Sequence, residues 1–126
     1  MSTVKPLQKD AGPSAGDLTA HQWKACKRTT TNQVPSIDVA DTTESVAGII
    51  ELPGFAAGTT TTYHTVGRSK VKVGVAVQAG DFGKIGGTPG VAAKAAAGDA
   101  YFCVFAEAGP ANAIVACDLV SGLRHA

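Results

Sequence analysis

The segment from Ser69 to Val77, SKVKVGVAV, places a valine at every second position from residue 71 onward. In an extended strand, successive side chains point to opposite faces, so a period of two collects all the valines on one face. Lysine, glycine and alanine then occupy the other face. The pattern predicts a half-buried β-strand whose inward residues are Val71, Val73, Val75 and Val77.

Other short apolar runs recur along the chain, separated by turns rich in glycine and proline such as GGTPG at Gly86–Gly90. Their content of β-branched and aromatic residues is typical of strands. The predicted strands are HQWKACKRTT, SVAGIIEL, GTTTTYHTVGR, FGKIG, GVAAKA, AYFCVFAEA and NAIVACDLV. The Ala-rich run VAAKAAAGDA allows at most one short helix. We therefore expect an all-β fold, a small antiparallel β-barrel or sandwich.

The length of 126 residues is that of a single domain. Residues 1–20 combine prolines, glycines, serines and scattered charges, and they show neither a helical nor a strand period. We expect them to form an extended N-terminal arm that is disordered, or ordered only against a partner. Residues 21–126 would then form the β-barrel domain.

The last two predicted strands form a hairpin around Gly109 and Pro110. If the turn is centred on Pro110, Cys103 faces Cys117 on one side of the hairpin. The opposite side, which includes Phe102 and Val104, is also largely apolar. One face can fill the barrel, and the other needs a cover from the arm or from a second subunit.

Composition limits the partners that this chain can attract. The net charge is +1, which provides no bulk field for nucleic acid or an anionic membrane, and charged residues make up only 17%. No apolar run approaches the roughly 18–20 residues of a membrane-spanning helix, and the N-terminus lacks the apolar core of a signal peptide. We expect synthesis in the cytoplasm, no membrane partner, and three free, buried cysteines, Cys26, Cys103 and Cys117.

The motifs that would indicate catalysis, a cofactor or a metal are missing from the sequence. The segment GDFGKIGGTPG resembles a phosphate loop only in its glycines, since no Lys-Ser or Lys-Thr pair and no amphipathic helix follow. His21, His64 and His125 are scattered, and no G-x-S-x-G motif occurs. Glu51 and Glu107 end two similar strands and could form a carboxylate pair, but strand-end glutamates at solvent are commoner. We expect a protein that is not an enzyme and binds no cofactor or metal.

Basic residues on one strand face offer a candidate interaction surface. Arg68, Lys70 and Lys72 share a side of their strand, and Lys24, Lys27 and Arg28 form a second group. Nucleic-acid binding would need more positive charge and interleaved aromatics, so no direct nucleic-acid contact is expected. The basic face is either a solvated strand face or a surface that meets acidic groups of a protein partner. Trp23, which lies near, is either an interface anchor or a core residue.

The segments GRSKVKVGVAVQAGDFGKIG and AGDAYFCVFAEAGPANAIVACDLV, together with SVAGIIE and AAGTTTTYHTVGR before them, resemble small bacteriophage head-decoration proteins, also called capsid cement proteins. The resemblance covers about residues 45–122 and rests on composition and strand periodicity. It implies a small β-barrel with an N-terminal extension that binds the outer face of a mature capsid, often as a trimer, and clamps neighbouring capsomers. Its partners would be the major capsid protein and other copies of itself.

The residues expected to contact capsid or neighbouring subunits are Val4, Pro6, Leu7, Trp23, Arg68, Lys70, Lys72, Phe102 and Val104. Two other functions share the same sequence features. One is a structural β module of a phage tail or baseplate. The other is a small ligand-binding barrel, which would need a pocket lined by convergent polar groups.

Overall fold

The computed structural model describes residues 8–31, 33–42 and 44–120 in full, and the backbone alone from 121 to 125. The expected interface residues Val4, Pro6 and Leu7 therefore lie outside the described residues. Within them, a short 3-10 turn spans Thr19–His21. The strands are β1 (Gln8–Pro13), β2 (Ala25–Thr31), β3 (Val34–Val39), β4 (Gly48–Leu52), β5 (Thr60–Lys72), β6 (Phe82–Ile85), β7 (Ala92–Lys94), β8 (Ala100–Phe105) and β9 (Ile114–His125).

These strands form one curled antiparallel sheet with the shape of a half-barrel. The strand order is β3-β2-β4-β5-β9-β8-β6-β7, and β1 is added to β5. Two isolated parallel bridges, Ser14 to Ile37 and Val73 to Ala92, extend the pairing at the two ends of this order. The predicted all-β antiparallel fold is confirmed. The Ala-rich run forms β7 and a turn, because Ala92, Ala93 and Lys94 pair with β6 across the turn that contains Gly90.

The long strand β5 belongs to both halves of the sheet. Its first part pairs with β1 and β4, with His64 opposite both Lys9 and Ile49. From Gly67 onward it pairs with β9. Gly67 has a φ of 102°, in a region that residues with side chains rarely adopt, so a glycine here lets the strand turn from one half to the other.

The sequence predicts two separate strands where the structure has this single one. The second was expected to run to Val77, but β5 ends at Lys72. Val75 is consequently 45% exposed, whereas Val71, Val73 and Val77 are buried. The alternation fails at Val75 because the chain after Lys72 leaves β9 and makes only single bridges, so no ladder holds the strand period there.

Residues 8–13 of the expected arm form the strand β1, which is paired with the sheet. β1 lies along β5, and Ser14 is buried, with its Oγ 2.6 Å from Thr61 Oγ1. Leu18 is buried in a core cluster that includes Tyr63. Periodicity could not reveal this pairing, because β1 is held through its backbone while the side chains of its first half stay exposed.

The core consists of two clusters, of which the larger has residues from both halves of the sheet and the smaller has residues of the first half only. The larger cluster includes Val71, Phe102, Phe105 and Leu119, and the smaller one includes Ile50. All three cysteines are free and buried, as predicted. Burial of apolar side chains stabilises such a curled sheet by about 25 cal/mol per Å² of apolar surface removed from water, and it is the main stabilising contribution.

The closing hairpin has a different register from the predicted one. Cys103 lies opposite Leu119, and Phe105 lies opposite Cys117, so the predicted pairing of Cys103 with Cys117 is wrong by two residues. The two thiols are nevertheless close together. A hydrogen bond with Cys117, together with burial, raises the pKa of Cys103. The turn is longer than the sequence suggested, because residues 106–113 make bridges of their own to the segment after β5.

Candidate interaction surface

The outer face of β5 carries the basic residues that the sequence singled out. Arg68 and Lys70 are exposed and Lys72 is half-buried. Arg68 donates to both carboxylate oxygens of Asp118, from Nε at 2.6 Å and from Nη2 at 3.3 Å. This hydrogen bonding raises the pKa of Arg68. Arg68 is therefore paired within the molecule, while no carboxylate of the described residues lies within ion-pairing distance of Lys70 or Lys72.

Trp23 lies beside this face in an unusual backbone conformation. Its φ of 63° is in the left-handed region, which is rare for a bulky residue. Two hydrogen bonds hold it there: its N–H donates to the carbonyl of Ile50 at 2.7 Å, and its carbonyl accepts from the N–H of Lys72 at 2.8 Å. The ring lies 5.9 Å from the ring of His64 and 5.7 Å from Lys70 Nζ. It is partly buried, so it contacts the core and the basic face together.

Lys24 is a third lysine without a carboxylate partner in the described part of the chain. Its Nζ lies 3.2 Å from His21 Nδ1. Burial, and then the charge of Lys72, lower the pKa of Lys24. Burial, and then the charge of Lys24, lower the pKa of His21, against the opposing charge of Asp38. We name Lys24, Lys70 and Lys72 the basic cluster.

The basic cluster differs from the other cations whose side chains are described, since each of those has a carboxylate within 4.0 Å. The ion-paired residues are Lys9, Lys27, Arg28, Arg68, Lys84 and Lys94. Lys27 and Arg28, which the sequence grouped with Lys24, pair instead with Glu44 and Asp10. The structure thus separates paired cations from three unpaired ones next to a single tryptophan.

A buried polar network links three strands, and the sequence did not reveal it. Ser69 Oγ lies 2.6 Å from His64 Nδ1, and His64 Nε2 lies 3.1 Å from Glu51 Oε2. The second contact is within ion-pairing distance but lacks the alignment of a hydrogen bond. Burial raises the pKa of Glu51, but the contacts with Lys9 and His64 together outweigh it and lower the pKa. Only the strand register brings these residues together, so no short motif could have marked them.

This network has the residue types of a serine–histidine–carboxylate relay, but its burial prevents that chemistry. A nucleophile must reach a substrate, and Ser69 and His64 are only 5% and 4% exposed. Neither residue lines any of the four cavities described on the surface. The network instead ties β1, β4 and β5 together. Glu107 has a different role, because its carboxylate accepts from the N–H of Ala116.

The largest of the four cavities is an open concavity of about 330 Å³. Its charged lining residues are already committed to partners, Lys84 to Asp99 at 2.8 Å and Glu44 to Lys27. The hydrogen bond from Lys84 lowers the pKa of Asp99. The volume is at the lower end of ligand sites, about 300–1,000 Å³, and the convergent, unsatisfied polar groups of such a site are not seen here.

The outer face of the second half of the sheet is apolar in part. Val104 is half-buried and lies opposite Phe82, which is 38% exposed and stacks on Tyr101 with ring centroids 4.5 Å apart. Phe102 was expected on this outer face beside Val104, and that expectation is wrong, because Phe102 is only 2% exposed. A register shift between Tyr101 and Cys103 turns its side chain into the core.

The described residues contain no group of three or more histidine, cysteine, aspartate or glutamate side chains that could hold a metal ion. Among the same residues, no helix is long and apolar enough to cross a membrane.

The fold and surface define a class of protein: a small all-β half-barrel with a partly exposed basic cluster and exposed apolar residues. No protein-family model matches the chain, and no curated protein matches it significantly by sequence. Among solved structures, the fold is similar to that of the head fiber gp8.5 N base in bacteriophage phi29. The similarity covers 91% of this chain and 95% of that chain, with a TM-score of 0.64 and 13% sequence identity. At this identity, the likeness shows a shared fold.

Proposed function

We propose that this protein is a structural component of a bacteriophage virion that attaches to the outer surface of the mature head. The observation that carries the proposal is the fold shared, over nearly the whole chain, with the base of a phage head fiber. The resemblance of residues 45–122 to capsid cement proteins supports the same location. The burial of Ser69 and His64 supports a role in binding rather than catalysis.

In this role the protein acts as a capsid decoration, or cement, protein. Its partners are the major capsid protein and other copies of itself, arranged as a homotrimer. Because it binds the assembled shell and not the free subunits, mass action stabilises the shell against disassembly. Trimerisation adds avidity, since a second and third contact form at a high effective concentration. Val4, Pro6 and Leu7 extend the contact area at the N-terminus.

A second candidate is favoured by the same structural similarity. The related structure is the base of a fiber, so this chain could be the capsid-bound base of a projecting structure rather than a clamp between capsomers. The two candidates differ in one measurable property. A clamp raises the temperature or pressure at which heads rupture, whereas a fiber base leaves the rupture threshold unchanged.

Co-sedimentation with heads of the phage or prophage that encodes the protein tests the proposal. Purified protein is mixed with DNA-free expanded heads and, as the control, with immature procapsids. Saturable binding to expanded heads alone is expected, and it gives the number of copies per shell. The absence of binding to either particle would contradict the proposal and favour a tail or baseplate module.

The N-terminal contact has its own test in the same assay. A variant that lacks residues 1–7 is preferable to one that lacks 1–20, because the larger deletion removes β1 and the buried Leu18. The shorter deletion should weaken head binding while the fold is retained. Equal binding by the truncated and complete chains would exclude a contribution from Val4, Pro6 and Leu7.

A further inference from the structure

We infer that the basic cluster, Lys24, Lys70 and Lys72 beside Trp23, docks an acidic segment of a protein partner. This inference rests on the proposed function only for the partner's location, the capsid protein of the head. The chemistry of the contact depends only on the residues of this chain.

The charges of the basic cluster favour an acidic partner. Six other cations with described side chains are neutralised by carboxylates of the same chain, and the three lysines of the cluster are not. Two of them repel each other, since the charge of Lys72 disfavours the charged form of Lys24. Like charges held close together destabilise a fold. Carboxylates from a partner would relieve this repulsion and would steer the encounter.

The backbone conformation of Trp23 also favours a binding role. Its φ of 63° puts a bulky aromatic residue in a sparsely populated region, which strains the backbone. Such residues persist where the surrounding structure fixes them, as the hydrogen bonds to Ile50 and Lys72 do here. They cluster at functional sites. In this position the indole is held partly exposed and rigid beside three cations, and rigid tryptophans are frequent binding anchors.

An exposed apolar residue lies next to the basic cluster. Ile114 lies directly opposite Lys72 on β9 and is 49% exposed, and the small side chain of Ala116 lies opposite Lys70. The surface therefore combines an aromatic anchor and an exposed aliphatic residue with a positively charged rim. This combination is that of a protein interface, in which an apolar centre is surrounded by polar groups.

A protein carboxylate fits this surface better than a nucleic-acid phosphate does. Single-stranded nucleic acid is bound along a groove by several aromatic residues that stack on successive bases, and this cluster has one tryptophan. The cluster also lacks a free arginine fork, the group that recognises phosphate bidentately, because Arg68 is paired with Asp118. Three lysines act as point charges, which suits separate carboxylates on an acidic segment.

Fluorescence of the protein's single tryptophan reports on this site directly. The full chain is titrated with a short peptide of alternating glutamate and alanine, with the matching glutamine peptide, and with a single-stranded thymidine oligomer. A saturable change is expected with the glutamate peptide only. It should disappear near ~1 M salt, where the Debye length is about 3 Å.

Matched variants separate the site from net charge. The triple variant Lys24→Gln, Lys70→Gln, Lys72→Gln should bind the glutamate peptide roughly ten- to a hundredfold more weakly, as expected for three exposed ion pairs. The control Lys9→Gln, Lys84→Gln, Lys94→Gln removes the same charge from paired lysines and should bind within about twofold of the original chain. If the triple variant does not fold, Lys70→Gln alone replaces it and should show a weaker loss.

The outcomes distinguish this inference from the proposed function. No fluorescence change at peptide concentrations up to ~1 mM, or equal loss in both triple variants, would overturn the inference. Tighter binding of the oligonucleotide would replace it with a nucleic-acid surface. Head binding that is unchanged in the cluster variant would overturn the inference and leave the proposed function standing. If the original chain binds the glutamate peptide but does not bind heads, the proposed function is contradicted and the inference stands.

Discussion

Gly83 in β6 lies where the sheet has no room for a side chain. It is buried opposite Cys103 of β8. A Cβ added there would lie 2.5 Å from Cys103 Sγ and 2.9 Å from Phe105 Cζ. Both distances are shorter than the non-bonded contacts that Cβ atoms make in proteins. Both neighbours are core residues, 0% and 1% exposed, so they cannot move into solvent. Gly83→Ala must therefore displace β6 from β8 or force Phe105 from its rotamer.

The expected loss can be worked from these contacts. Overpacking by one methyl group in a dense core costs about 1–3 kcal/mol. The lower entropy of alanine in the unfolded chain returns about 0.4–1 kcal/mol, because the φ of Gly83 is one that alanine can adopt. At the middle of both ranges, the net decrease in the free energy of unfolding is about 1.3 kcal/mol. For a chain of this size it corresponds to a fall in Tm of about 4–8 °C.

Urea unfolding followed by tryptophan fluorescence measures this loss. Gly87→Ala is the matched control, because the added Cβ has no heavy atom within 4 Å and the residue is exposed. Its free energy of unfolding should change by less than about 0.5 kcal/mol. Cys103→Ala removes the nearest clashing atom, so the double variant with Gly83→Ala should lose about 0.5–1 kcal/mol less than the sum of the two single variants.

The result for Gly83→Ala can refute the reasoning. If it unfolds at the same urea concentration as Gly87→Ala, β6 and β8 are not packed as closely as the structure has them. If it is destabilised but Cys103→Ala gives no relief, Phe105 rather than the thiol carries the conflict.

Three further predictions concern other parts of the fold. Ser14→Ala should lower the free energy of unfolding by about 1–2 kcal/mol, because it leaves the buried hydroxyl of Thr61 with one partner fewer, and hydrogen exchange of the β1 amides should accelerate. Because the hydrogen bond from Lys84 gives Asp99 a folded pKa below its unfolded value, its contribution is present above the unfolded pKa and lost as the pH falls through the folded one. Urea midpoints measured between about pH 5 and pH 2 should therefore fall, and less steeply for Asp99→Asn. Burial raises the pKa of Cys26 to about 12, so thiol reagents should label it only at the rate of unfolding, and faster labelling in native buffer would contradict its burial.

The sequence was informative wherever a strand has one buried and one solvated face. Val71 and Val73 follow the period of two and are buried. The same reasoning gave the inward face of the closing hairpin, where Cys103 and Cys117 are buried as expected. In these segments side-chain chemistry and backbone pairing carry the same information, so periodicity suffices.

It was uninformative wherever backbone pairing or a local irregularity decides the structure. β1 has no alternating pattern, and its position on β5 depends on hydrogen bonds that any sequence could make. Phe102 turned inward through a register shift that no neighbour in the sequence signals. The candidate surface was found in part: Trp23, Lys70 and Lys72 were singled out, but the pairing of Arg68 with Asp118 depends on the register of β5 and β9.

An open sheet has two outermost strands whose free amides and carbonyls can recruit a strand from another chain. Along the main strand order they are β3 and β7, and β1, which is added to β5, provides a third edge. β3 carries Pro35, which has no N–H to offer, and its carbonyl at Ile37 is taken by the N–H of Ala15. β7 is three residues long and ends in the exposed Lys94. At high local density, exposed strand edges can pair with the edges of neighbouring copies. The features of β3 and β7 disfavour such pairing and favour contacts through side-chain surfaces.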